Sequence, residues 1–136
     1  MIKLLRLYPL LMAGMLSSCI STPAGFTYTN VVIPIEELII PGTAPVNVPL
    51  NIYAYTSVPD GCWSDIRFIF GETGERNYEL FALANYESHG VCPEVLVTAD
   101  TVLTFTPVHP GNYVITIWKN SATYDLDTIR VGEALP

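Results

Sequence analysis

From residue 46 to residue 54 the chain alternates. Val46, Val48, Leu50, Ile52 and Ala54 share one parity, while Asn47, Asn51, Tyr53 and Tyr55 share the other. A period of two puts the first set on one face of an extended strand and the second on the opposite face, which no α-helix does. A strand over Val46–Thr56 is therefore expected to turn one face to a core and the other to solvent. Pro49 has no amide proton for a ladder, so its part of the strand is expected at an edge or a bulge.

The same texture continues down the chain. Val58-Pro59-Asp60-Gly61 reads as a turn, and after it Ile66, Phe68 and Phe70 alternate inward against Asp65 and Arg67. Gly71-Glu72-Thr73-Gly74 reads as a hairpin loop leading into Tyr78–Ala84. The Glu, Leu and Ala of that segment also suit a helical turn, and its β surroundings decide for strand. Further strands are expected at Glu94–Thr98, Thr101–Thr106, Tyr113–Trp118 and Tyr124–Val131. The last needs a bulge near Asp127 if Leu126, Ile129 and Val131 are all to point inward. With Pro, Gly, Asn and Asp punctuating at short intervals and no amphipathic helix, the expected fold is an all-β sandwich of about seven or eight strands.

The first residues have another character. Lys3 and Arg6 precede an apolar run from Leu7 to Leu16, interrupted by Tyr8, Pro9 and Gly14. A charged start, an apolar middle and small residues at the end are the parts of a secretory signal. The run is too short for a membrane-spanning helix, which needs about 20 apolar residues. Its end, Leu16-Ser17-Ser18-Cys19, resembles the bacterial lipoprotein signal, an aliphatic residue and two small ones before a cysteine. That resemblance implies a signal peptide over 1–18, diacylglycerol on the Cys19 thiol and acylation of its new amine. Two or three chains hold durably where one holds marginally. The competing reading is an ordinary secretory signal cut after Ala24.

Residues 19–25 then form the lipidated cysteine and a short tether, and 26–136 one domain. Ile20 is not the acidic residue that signals inner-membrane retention in enteric lipoproteins, so the expected address is the outer membrane. No acidic run follows Cys19, which weighs against display on the outer face. Loss of Lys3 and Arg6 leaves four basic side chains against thirteen acidic ones. That balance argues against nucleic acid and against electrostatic docking on anionic lipid. Met1, Met12 and Met15 all lie in the signal, so the domain offers no thioether ligands for copper.

With Cys19 assigned to lipid, Cys62 and Cys92 remain as a pair in an oxidising compartment. A bridge would close a loop of about 30 residues and contribute ~3–4 kcal/mol on the chain-entropy account. The competing Cys/His metal site with His89 has too few ligands.

Leu103-Thr104-Phe105-Thr106-Pro107, Pro110-Gly111-Asn112-Tyr113-Val114-Ile115 and Asp127-Thr128-Ile129-Arg130-Val131 resemble immunoglobulin-like domains of bacterial surface proteins. Lipoproteins of this shape are frequent in Bacteroidota. The resemblance covers about a third of the chain and implies that Pro-Gly-x-Tyr opens the penultimate strand, with Tyr113 capping the corner. Cys62 and Cys92 do not occupy the antibody positions and Trp63 follows Cys62 directly, so a bridge stapling loops is expected rather than one across the sheets.

Little catalytic chemistry is legible. His89 and His109 each sit beside turn residues, and both cysteines of the domain are committed. No phosphate loop, metal-binding helix motif or nucleophile elbow occurs. Asp125 and Asp127, with Asp60 or Asp65, could ligate calcium, but alternating Asp on a solvated strand is the ordinary reading, and no metal or cofactor is expected. Glu72, Glu75 and Glu79 read as solvation around a hairpin.

The aromatics carry more. Tyr53, Tyr55, Trp63 and Trp118 fall opposite the core parity of their strands and, if adjacent, would form a platform for sugar rings or a protein. Burial under neighbouring loops is the plainer alternative. The leading expectation is a lipid-anchored, non-catalytic module contacting an envelope protein or glycan. A structural subunit of an envelope complex, an inhibitor or immunity lipoprotein and, last, an enzyme follow it.

Overall fold

The computed structural model describes residues 24–133. Nine strands fill this stretch, with no helix: β1 (Phe26–Ile33), β2 (Glu37–Ile39), β3 (Thr43–Pro45), β4 (Leu50–Val58), β5 (Trp63–Gly74), β6 (Asn77–Ser88), β7 (Val97–Phe105), β8 (Gly111–Trp118) and β9 (Tyr124–Gly132). They form a six-stranded mixed sheet and a three-stranded sheet ordered β2-β4-β7.

β6 organises the larger sheet. One of its edges pairs antiparallel with β5 along nearly its full length. The other edge is shared: β1 pairs antiparallel with its second half, from Ile33↔Ala82 to Phe26↔Ser88. β8 pairs parallel with its first half, from Asn77↔Val114 to Leu80↔Ile117. β9 then pairs antiparallel with β8, and β3 runs parallel to β9.

The core lies between the sheets and follows the period of two. Leu80, Ala82 and Ala84 of β6, Ile115 of β8, Ile129 of β9 and Ile52 and Ala54 of β4 are fully buried. Phe70, Tyr78, Phe105 and Tyr113 make an aromatic group at one end, with Phe70 stacked on Tyr78 at 5.2 Å and Phe105 5.0 Å from Tyr78. Thr56 is the buried hydroxyl of β4, and it donates to the Pro34 carbonyl at 2.6 Å, so its burial costs little.

Two bulges face each other across β6, between Tyr28 and Val31 on β1 and between Ser64 and Arg67 on β5. Each holds a residue with positive φ, Asn30 at 55° and Asp65 at 52°, types that tolerate that region. Asn85 of β6 bridges them: its carbonyl accepts from Asn30 N at 3.0 Å, and its amide donates to Asp65 at 3.2 Å. Arg67 pairs with Asp65 at 2.6 Å and donates to Asn30.

Several expectations are corrected. The strand expected over Val46–Thr56 is β4, which begins at Leu50, after Pro49, and runs to Val58; Asn47 turns at φ 62°, while Val46 N donates to Gly132 O at 3.1 Å. The β5–β6 hairpin turns at Glu75-Arg76 rather than at 71–74, because Gly71–Glu72 pair with Tyr78–Glu79. Of the segment expected at Glu94–Thr98 only Val97 and Thr98 are strand, while 94–96 lie in the β6–β7 loop. They run on without a break into the segment expected at Thr101–Thr106, and β7 pairs from Val97 to Phe105 without interruption to β4. β9 has no bulge: its register with β8 is continuous, and Leu126 points outward at 62% exposure. A bulge would interrupt this ladder, whereas a single exposed leucine on a strand's solvent face is ordinary. β1, β2 and β3 complete the sandwich without clear alternation in sequence.

Tyr113 closes the corner before β8. Its hydroxyl donates to His109 O at 3.0 Å and accepts from His109 N at 3.2 Å. Beside it, Gly111 has φ +132°, and a Cβ there would lie 3.1 Å from Arg76 Nε. Gly111→Ala is expected to lower stability by about 1–3 kcal/mol, read by denaturant unfolding, because the backbone is strained for any L side chain. Removing the Arg76 side chain as well should recover only the contact part.

Tyr78 carries a second expectation. Burial first, then the Glu72 carboxylate and Tyr113, raise its phenol above the ordinary tyrosine value. Above pH ~10 the unfolded chain ionises this group while the folded one keeps its proton, so stability falls as pH rises. Tyr78→Phe should flatten that alkaline decline in unfolding midpoints.

Candidate functional site

β8 ends at Trp118, one residue past its last pairing with β6, so the indole falls beside Phe81. Ile69↔Phe81 pair across β5 and β6, and Trp118↔Tyr124 across β8 and β9. Ile69, Phe81, Trp118 and Tyr124 thus form one row over four adjacent strands, on the face away from the core. Tyr124 is 51% exposed and meets Trp118 edge-on at 5.1 Å.

The row crosses the point where β1 and β8 meet end to end along β6. That junction leaves an open groove of about 260 Å³, lined by Val32, Glu79, Phe81, Trp118, Asn120 and Ser121. The Asn120 amide is committed to its own turn, accepting from Ala122 N and Thr123 N and donating to Thr123 Oγ1. Glu79 and Ser121 supply the groove with a carboxylate and a hydroxyl.

Tyr53 and Tyr55 lie elsewhere, on the outer face of β4 in the smaller sheet. Tyr53 sits between Ile39 and Val102, and Tyr55 between Glu37 and Asp100. Partial burial first, then Asp100, Glu37 and Tyr55, raise the Tyr53 phenol above its usual value. Trp63 is different again: it packs edge-on against Tyr86 at 5.0 Å and against the core group of Ile33, Val58, Ala82 and Ala84. The Ser64–Arg67 bulge changes the parity of β5, so Trp63 turns to the inner side although Phe68 and Phe70 are an odd number of residues away. The four aromatics therefore occupy three places, and Trp118 acquires neighbours, Phe81 and Tyr124, that sequence reading did not select. The opposite parity of Phe81 from Leu80 and Ala82 was the available signal.

Cys62 and Cys92 form a disulfide with Cα atoms 5.2 Å apart. It joins the β4–β5 turn to the β6–β7 loop, with the Tyr86 hydroxyl 3.4 Å from the Cys92 sulfur. Asp60 lies beside the two sulfurs, but its carboxylate accepts from Cys62 N at 3.0 Å, which is a turn contact, and the bridged sulfurs are not thiolates. Cys19 lies outside the described residues.

His89 is exposed and pairs with Glu87 at 3.0 Å. The His109 backbone is held by Tyr113. Asp125 pairs with Lys119 at 2.6 Å, and Asp127 accepts from Thr128 N at 2.7 Å. Asp60 and Asp65 belong to the β4–β5 turn and the β5 bulge, away from both, so these four carboxylates do not converge.

No protein-family model, curated protein or solved structure matches this chain.

The disulfide encloses a loop of 30 residues. Cys62→Ser with Cys92→Ser is expected to cost ~3–4 kcal/mol in chemical denaturation. Trp63 emission should shift on reduction while Trp118 emission stays constant.

Proposed function

We propose that the chain is a lipid-anchored cell-envelope module, of immunoglobulin-like form, that acts by non-catalytic contact through the outer face of its six-stranded sheet. The single observation that carries this is the row Ile69–Phe81–Trp118–Tyr124, left open to solvent around a groove. A buried aromatic anchor beside a concavity is the usual energetic centre of an interface, and tryptophan is its commonest residue.

The immunoglobulin-like form draws support from the β2-β4-β7 sheet, from β3 running parallel to β9 and from the Tyr113 corner. It departs from antibody domains at β6, which runs parallel to its neighbour β8 where those domains have an antiparallel strand. The lipid anchor rests on Leu16-Ser17-Ser18-Cys19, and an outer-membrane address on Ile20. A contact role fits the exposed pairing of His89 with Glu87 and the bridged state of Cys62 and Cys92.

A glycan ring against Trp118 is the second reading, favoured by the Glu79 carboxylate and Ser121 hydroxyl in the same groove. An aromatic face takes the sugar C–H surface while carboxylate and hydroxyl take its hydroxyls.

A photocrosslinking residue at Leu126 should capture a defined envelope protein in cells. Trp118→Ala should reduce that capture by about 30-fold or more at unchanged thermal stability, the loss of an aromatic hot spot. Loss with Tyr53→Ala but not with Trp118→Ala would transfer the contact to the smaller sheet. Under the glycan reading, Trp63→Phe protein should instead show a Trp118 emission shift on a glycan panel.

A further inference from the structure

The end of the sandwich where the tether enters is apolar and exposed. Phe26 and Tyr28 sit on the core-facing side of β1, opposite Ser88 and Tyr86, but beyond the reach of the smaller sheet, and they are 57% and 56% exposed. The β6–β7 loop adds Val91, Val95 and Leu96 at 87%, 52% and 63%.

These residues belong to one built surface. Gly25 packs against His89, and Val95 against Gly61. Gly61 N donates to Pro93 O at 2.8 Å, and Glu87 N to Cys62 O at 2.9 Å. The disulfide ties the turn to the loop, and Tyr86 lies between Trp63 and Tyr28, with ring centroids 5.0 and 6.1 Å away. The loop that carries Val91 is therefore held in place rather than free to fold its apolar side chains inward.

Charge narrows the occupant. Residues 24–28, 59–63 and 87–97 contain no Lys or Arg, and their acids are Asp60, Glu87 and Glu94. Such a surface has nothing to attract anionic headgroups, and its attraction to a bilayer is apolar and aromatic, with Tyr and Trp suited to the headgroup level. The tether decides the rest. From Cys19 to Gly25 there are seven residues, which span at most ~25 Å when fully extended. An acylated Cys19 would hold this end, and not the Trp118 face, against the membrane.

We infer that the surface formed by Phe26, Tyr28, Val91, Val95 and Leu96 seats on the zwitterionic bilayer that receives the lipid anchor. The inference rests on the lipid-anchor reading proposed above. It orients the domain: strand axes rise from the membrane, and the Trp118 row stands clear of it for a partner. Trp63 pairs opposite Tyr86, whereas Trp118 is level with Phe81, so Trp118 stands roughly 17 Å further from the bilayer along the strands.

The test uses the full chain, expressed in a bacterial host and reconstituted into phosphatidylcholine–phosphatidylethanolamine vesicles with brominated acyl chains. The chain has two tryptophans, so Trp118→Phe leaves Trp63 as the sole indole and Trp63→Phe leaves Trp118. The expected result is a loss of Trp63 emission with no loss of Trp118 emission, unchanged by high salt. Val91→Asp with Leu96→Asp should restore Trp63 emission at unchanged thermal stability. Vesicle-bound, acylated protein whose Trp63 is not quenched would overturn the seat while leaving the anchor intact. A dimer broken by the same Asp pair would overturn it in favour of a second copy. Absence of diacylglycerol mass on the Cys19 peptide would overturn the anchor reading and the seat with it.

Discussion

The architecture depends on the pairing of β6. Its backbone must satisfy hydrogen bonds on two edges over twelve residues, and no one strand covers the second edge. β1 and β8 divide it, one antiparallel and one parallel, and their ends meet near Leu80 and Ala82. The groove beside Trp118 exists because two strand ends cannot close on each other as neighbouring strands do. Further along β6, the opposed bulges at Asn30 and Asp65 are joined through Asn85, which hydrogen-bonds to both.

That arrangement separates three surfaces with different physics. The outer face of the larger sheet carries the aromatic row, the outer face of the smaller sheet carries Tyr53 and Tyr55 among acids, and the end that holds Phe26, Tyr28 and the β6–β7 loop is apolar without basic side chains. Apolar groups in solvent are ordinary when scattered, and their gathering into a row or an end cap is what points to contact. The disulfide bears on position as well as stability: it ties the β6–β7 loop, which carries Val91 and Leu96, to the β4–β5 turn.

Much of the fold was legible because alternation survives local reading. Leu50, Ile52 and Ala54, or Tyr113, Ile115 and Ile117, face the core as their parity requires. The Tyr113 corner was legible from Pro110-Gly111-Asn112-Tyr113, and the Cys62–Cys92 pair from counting cysteines. Elsewhere local signals misled. Gly71 and Gly74 look like turn residues, yet pairing with β6 extends β5 through them to Glu75-Arg76. Leu126 looks like core, yet the uninterrupted ladder with β8 keeps it outside. Trp63 had the wrong apparent parity because a bulge is a property of two strands, and one strand's sequence does not reveal it.

The sequence by itself determined that this chain is all-β, which side chains of most strands are apolar, and that Cys62 and Cys92 can pair. These are local properties, set by periodicity, turn chemistry and residue counting. Only the tertiary structure decided which strands are neighbours, and hence that Phe81, Trp118 and Tyr124 share a row while Tyr53 and Tyr55 lie on another sheet. Strand pairing is a contest among distant segments with nearly equivalent backbones, so its outcome depends on the packing of the whole sandwich rather than on any one stretch.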